Sequence, residues 1–317
     1  MVVFLRTILF TNHTQKITFS AGESYIMSDE REKNAVFRQA NSADAGNDPR
    51  IPRTTAATQM KSDFGIDIPS EVVPLPSSGK TYPVGSSFHG CDSVDIKAMT
   101  AREEDILTSS ALLKKGTVLS ELIKSCLMDK TINPNELLSG DRNALMVAIR
   151  VTGYGPDYDA DIQCPECEVK SAHSFNLGTL PIKRLEIDPV TPGTNLFEFK
   201  LPRTGKTVKF KFMTGRDEED IMSMQQKQKK LGMTIDSAIS TTLLYSIVSI
   251  DGIDDRAKIA AFSKAIPAQD SLALRNYIRE NEPGITMRQE SECTACGHIE
   301  EVDMPLGPTF LWPSARR

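Results

Sequence analysis

Between Val208 and Phe212 the chain alternates apolar and polar side chains, so Val208, Phe210 and Phe212 share one face of an expected strand. Longer stretches switch to a helical period, and helices are expected over Val118–Met128, Asp141–Val151, Ile235–Ser249 and Ala268–Glu280. Within them Leu145 and Ile149, and Leu274 and Ile278, keep the i, i+4 spacing of a buried stripe. Two more helices have a legible start: Thr100 precedes Glu103, and Thr214 precedes Asp217 and Glu218, the spacing of a capping box whose acids also favour a helix N-terminus. Ahead of each lies a Pro-x-x-Gly turn, where Gly79 or Gly205 can take a positive φ. From residue 27 to about 66, polar residues scatter without a period, and residues 1–66 read as an extended or disordered arm.

These signals recur in order. Leu75-Pro-Ser-Ser-Gly-Lys-Thr returns as Leu201-Pro-Arg-Thr-Gly-Lys-Thr, and the stretch from Val94 to Ile106 returns from Val208 to Ile221. Asp141-Arg-Asn-Ala-Leu145 matches Asp270-Ser-Leu-Ala-Leu274, Cys164-x-x-Cys167 matches Cys293-x-x-Cys296, and Leu177-Gly178 matches Leu306-Gly307, all three at one offset. Shared turn chemistry explains one such match but not an ordered series. The expected architecture is α+β, a duplicated unit of β-hairpin, helices and a cysteine-bearing hairpin, with repeat one over residues 67–185 and repeat two over 186–317.

The chain has 317 residues, 39% hydrophobic, enough for two domains and a tail. Its formal charge of −5 offers no broad attraction to nucleic acid or to an anionic membrane, and neither is expected as a partner. No apolar run approaches the ~20 residues of a spanning helix. Met1 to Phe10 is apolar but lacks a signal-peptide cleavage pattern. Met27 opens Met-Ser-Asp-Glu-Arg-Glu-Lys, which looks like a cytoplasmic start, and codons for Gly22-Glu23 can spell a ribosome-binding sequence just upstream. Translation from Met27 is therefore expected, with residues 1–26 untranslated, and the intact mass of the native protein tests it.

Six cysteines change the picture most. Cys91 and Cys126 stand alone and read as core residues. The other four form two Cys-x-x-Cys pairs, which in a chain without a secretory signal point to a reducing compartment and a metal. One structural zinc held by Cys164, Cys167, Cys293 and Cys296 is expected, because a pseudo-twofold relation between the repeats brings equivalent turns face to face. The flanking strands, Asp161–Gln163 with Val169–Phe175 and Thr286–Glu292 with His298–Asp303, then form a split zinc ribbon. Thioredoxin-like redox chemistry needs a following helix that neither motif has. Separate sites completed by His173 or His298 are the other alternative; both histidines read more simply as solvent-facing.

Other motifs fail. Gly79-Lys80-Thr81 and Gly205-Lys206-Thr207 lack the earlier glycine of a phosphate-binding loop and read as turns. The acid clusters near Glu103 and Asp217 read as caps, Lys227, Lys229 and Lys230 as a helix surface, and no catalytic constellation stands out, so no enzyme is expected. At the C-terminus, Phe310, Leu311 and Trp312 lie in a Pro-rich strip. They either fold back onto the core or form a docking strip for a partner.

The series Leu75-Pro-Ser-Ser-Gly79-Lys-Thr-Tyr82-Pro83, Met99-Thr-Ala-Arg-Glu-Glu-Asp-Ile106, Leu138-Ser-Gly-Asp141-Arg142, Arg150-x-x-x-Tyr154-Gly155 and Cys164-Pro-x-Cys167 resembles the baseplate hub assembly family of T-even-type (T4-like) contractile-tailed bacteriophages. The resemblance spans roughly residues 70–317. It implies a non-enzymatic virion protein of the tail baseplate, a hub subunit or assembly factor put together in the host cytoplasm. Its implied partners are other baseplate, hub or tail-tube proteins. The alternatives are a zinc-ribbon adaptor for nucleic acid and an enzyme with a hidden site. Glu166, Glu168, Glu292, Glu300 and Glu301 on the ribbon argue against the adaptor.

Overall fold

The computed structural model describes residues 60–61, 67–230, 238–304 and 308–311. Met27, most of the arm, Leu306-Gly307 and Trp312 lie outside them. A short antiparallel pair, Met60–Lys61 (β1) with Asp67–Ile68 (β2), leads into the first half. There Ser70–Pro74 (β3) pairs antiparallel with Ser93–Lys97 (β4). Residues 75–92 make a folded turn between them, not a tight hairpin. Gly79 sits in it at φ 68, with the backbone nitrogen of Cys91 2.4 Å and the carbonyl oxygen of Phe88 2.5 Å from where a Cβ would stand. Only glycine fits.

The helix Ala101–Thr108 (α1) starts at Thr100, whose backbone N–H donates to the Glu103 carboxylate at 2.9 Å. Glu103 is wholly buried and also accepts from Lys97 Nζ at 2.7 Å. Burial pushes its pKa up, but the bonds from Lys97, Ser125 and Thr100 outweigh this and hold it at about 2. Ser110–Lys115 (α2), Val118–Cys126 (α3) and Ser139–Tyr154 (α4) follow, then the hairpin of Asp157–Gln163 (β5) and Lys170–Asn176 (β6). Ile182–Lys183 (β7) ends the half.

The second half also opens on a strand pair followed by helices, but a further strand falls among its helices and its short strand precedes the cysteine hairpin instead of following it. Phe197–Lys200 (β8) pairs with Thr207–Phe210 (β9), Gly215–Lys230 (α5) begins after Thr214, and Ala238–Ser246 (α6) runs into Ile247–Ile250 (β10). Arg256–Ala265 (α7), Ala268–Asn281 (α8), Gly284–Ile285 (β11), the hairpin of Arg288–Glu292 (β12) with Ile299–Asp303 (β13), and Pro308–Leu311 (α9) complete it. Asp217 accepts from Thr214 N–H at 3.0 Å and from Lys211 Nζ at 2.7 Å, an arrangement like that around Glu103. The expected helix over Ile235–Ser249 is cut short, since residues 247–250 form β10. Ile247 and Ile250 are β-branched and pair with Phe210 and Val208 of β9, where a strand buries them better than a helix end would. Helices α2 and α7 had no expectation. Asp255 caps α7 by accepting from Ala257 N–H at 2.8 Å.

The fold is α+β with small sheets. Its core draws on both halves: Leu145 and Ile149 of α4, Phe197, Phe210 and Phe212 around the second sheet, and Leu274 of α8 belong to one cluster of buried side chains. Backbone hydrogen bonds tie the halves: Ser139 N–H to Met213 O at 2.9 Å and Gly215 N–H to Leu137 O at 3.0 Å. β7 pairs with β11 across the same junction. A Cβ on Gly140 would lie 1.7 Å from Pro283 O, so the chain needs glycine where α4 meets the second half. Nearby, buried Arg142 bonds Ser120 Oγ at 3.0 Å and lies 3.4 Å from Glu218. Cys126 is buried as expected, whereas Cys91 is half-exposed, its thiol donating to Ser87 O at 3.2 Å.

Candidate metal centre

Each cysteine pair sits at the tip of a hairpin. In the first, Cys164 N–H donates to Val169 O at 3.0 Å and Glu168 N–H to Cys164 O at 2.9 Å. In the second, Cys293 N–H donates to His298 O at 2.8 Å and Gly297 N–H to Cys293 O at 2.9 Å. Both turns close through a left-handed residue just after the second cysteine, Glu168 at φ 58 and Gly297 at φ 70. These bonds curl the backbone so that both sulfurs of a pair face one point.

The tips meet. Cys164 Sγ lies 3.6 Å from Cys296 Sγ, and Cys167 Sγ lies 3.6 Å from Cys293 Sγ. All four sulfurs fall within 4.8 Å of one another. Bonds of about 2.3 Å in a tetrahedron put sulfurs roughly 3.8 Å apart, so four thiolate donors at this spacing can hold one metal ion. Cys164 and Cys293 are buried and Cys296 is exposed, which places the centre at the rim of the hairpin pair.

Backbone N–H groups of Cys296 and then Ala295 face the Cys293 sulfur and pull its pKa down to about 6. Cys296 goes the other way, to about 12: His298 N–H favours its thiolate, but the crowded sulfurs of Cys167, Cys164 and Cys293 outweigh it. Four thiolates this close repel unless positive charge sits among them.

His173 is no ligand. Its ring nitrogens face Ser171 Oγ at 2.7 Å and Ser291 Oγ at 3.1 Å, so it bridges the two hairpins and does not simply face solvent. Sequence reasoning missed this contact and the one at Gly140, and only the pairing of distant elements reveals them. The outer faces of the hairpins are acidic, with Asp157, Asp161, Glu290, Glu292, Glu301 and Asp303 exposed. The C-terminal side chains go elsewhere. Phe310 and Leu311 are 1% and 0% exposed, and the Phe310 ring lies 5.2 Å from that of Tyr158. These two side chains fold back onto the chain's own core, where burial removes their apolar surface from water; Trp312 lies outside the described residues.

No helix among the described residues is long and apolar enough to cross a membrane. The chain belongs to the family of the T4 bacteriophage base plate protein, matched over residues 69–311. No curated protein and no solved structure matches it.

Proposed function

We propose that this chain is a non-enzymatic part of the phage baseplate hub, a structural subunit or assembly factor whose two halves are clasped by one structural zinc. Cys164, Cys167, Cys293 and Cys296 are its ligands, two from each of two repeats (residues 67–185 and 186–317) that follow the arm of residues 1–66. The observation that carries the reading is the convergence of two sulfurs from each half within 4.8 Å. Across the gap, the first cysteine of one pair faces the second of the other, the arrangement a pseudo-twofold axis produces. Protein sulfur would fill all four positions, leaving none for a reacting water, so the metal's contribution is to folding. The family supports the baseplate setting and partners among other tail proteins. The acidic outer faces of the hairpins disfavour a phosphate backbone as partner.

Metal analysis of the purified full chain tests the clasp, with about one zinc per chain expected. Two per chain, or none with the fold intact, sinks it. Mass spectrometry of purified virions separates the two hub roles: a subunit is retained and an assembly factor is not.

A further inference from the structure

A groove of about 660 Å³ opens on the first half, between α1 and the C-terminal end of α3. Its floor is apolar, formed by half-buried Ile106 and Met128 over buried Leu127. Its rim is cationic: Arg102, Lys124 and Lys130 are exposed there against one exposed carboxylate, Glu121. Lys97 also lines the groove but is paired with Glu103. Among the described residues, Arg102 and Lys124 have no ion-pair partner. Lys130 is held in place, its Nζ donating to the carbonyl oxygens of Ser125 at 2.8 Å and Leu127 at 2.7 Å. Burial, and then the nearby charge of Lys97, lowers its pKa, with Cys126 and Glu103 acting the other way.

The second half treats the corresponding place differently. There Arg256 caps the end of α6, donating to Leu244 O at 2.8 Å and Ile247 O at 3.0 Å. It belongs to α7, a helix that packs on α6 and β10 and buries Ile259 completely. The second half thus covers the end of its helix with a helix of its own. In the first half the segment after Lys130 makes only a short 3-10 turn, Pro134–Glu136, and the groove stays open.

We propose that this groove docks an acidic amphipathic helix of another protein, with apolar side chains on Ile106 and Met128 and carboxylates against Arg102, Lys124 and Lys130. The comparison of halves rests on the duplicated reading given above; the charge and shape of the groove do not. An apolar floor with a cationic rim selects an apolar face flanked by acids, since the rim rejects a basic helix and the floor gains nothing from a wholly polar one.

The test uses the full chain with isotope-labelled isoleucine and methionine methyl groups. The probe is a short synthetic helix with leucines along one face and glutamates beside them. Two controls replace its glutamates by lysine or its leucines by serine. Saturable shifts of the Ile106 and Met128 methyls are expected with the probe and not with either control. The double variant Arg102→Glu, Lys124→Glu should weaken binding at least ~10-fold while keeping its helical signal and zinc content. The proposal is overturned if the two methyls do not move, if either control binds equally well, or if the double variant binds as the parent does. It is also overturned if the chain alone self-associates and the double variant abolishes that, which would make a second copy the occupant. Zinc content reports separately on the clasp, so either idea can fail without the other.

Discussion

The two cysteine hairpins run through the same turn with different residues at its hardest position. The first places Glu168 in the left-handed region, where a side chain crowds its own carbonyl, and the second places Gly297 there. A similar divergence separates the acids at the starts of α4 and α8. Asp141 accepts from Ser77 N–H at 2.9 Å and from the hydroxyls of Ser77 and Tyr82, both at 2.6 Å. Asp270 accepts from the backbone N–H groups of Arg203 at 2.7 Å and Thr204 at 3.1 Å. In each case the geometry is held and the chemistry is not. A turn pinned by backbone hydrogen bonds tolerates a strained residue. An acid needs only donors within reach, whichever part of the turn supplies them.

The comparison breaks hardest at the sulfurs. If the halves share one metal, Cys164→Ser and Cys293→Ser should be equivalent: each loses nearly all bound zinc and destabilises the fold by several kcal/mol. Metal analysis and urea unfolding of both variants check this. Loss of only half the metal from either one would mean each hairpin holds its own.

Next comes a site where the halves differ because one abuts the other. Gly140 precedes Asp141, and in the second half Gln269, exposed, precedes Asp270. Gly140→Ala drives a methyl against the Pro283 carbonyl and should cost about 3 kcal/mol, while Gln269→Ala should cost almost nothing. Chemical denaturation of the two variants gives the contrast directly.

The paired acids should respond to pH in opposite senses. Burial raises the Asp141 carboxyl above its ordinary pKa, although Ser77 and Tyr82 bond to it. Burial also pushes Asp270 up, but the backbone N–H groups of Arg203 and Thr204 more than reverse this and its pKa falls. A raised folded pKa gives a contribution that is full below the unfolded value, about 4, and declines as pH climbs through the folded one. A lowered one is full above about pH 4 and is lost as pH falls. Between about pH 3 and pH 7, the cost of Asp141→Asn should therefore shrink and that of Asp270→Asn should grow, read from unfolding at each pH.

The smallest effect lies at the knuckles. Glu168→Gly should stabilise by up to about 1 kcal/mol, and Gly297→Ala should cost a similar amount, both measured by chemical denaturation. A loss on Glu168→Gly would show that its side chain contributes something the second hairpin does without.

Much of the site was legible because its signals are local. Thr100 with Glu103, and Thr214 with Asp217, mark helix starts by spacing, and the structure forms both caps. Gly79 and Gly205 mark turns, and both take φ 68. Each Cys-x-x-Cys is a turn that needs nothing beyond its own few residues. Other features were decided only in three dimensions. Residues 247–250 suit a helix end or a strand by propensity, and the open edge of β9 settles the choice. Phe310 and Leu311 read equally well as docking anchors or core, and the space beside Tyr158 takes them inside. The sequence by itself determined what each short segment would do, since caps, turns and knuckles are set by neighbours a few residues away. The tertiary structure alone decided which segments meet: Cys164 with Cys296, Gly140 with Pro283, His173 with Ser291. Those contacts join residues more than a hundred positions apart, and their energy arises only when the whole core has placed both partners.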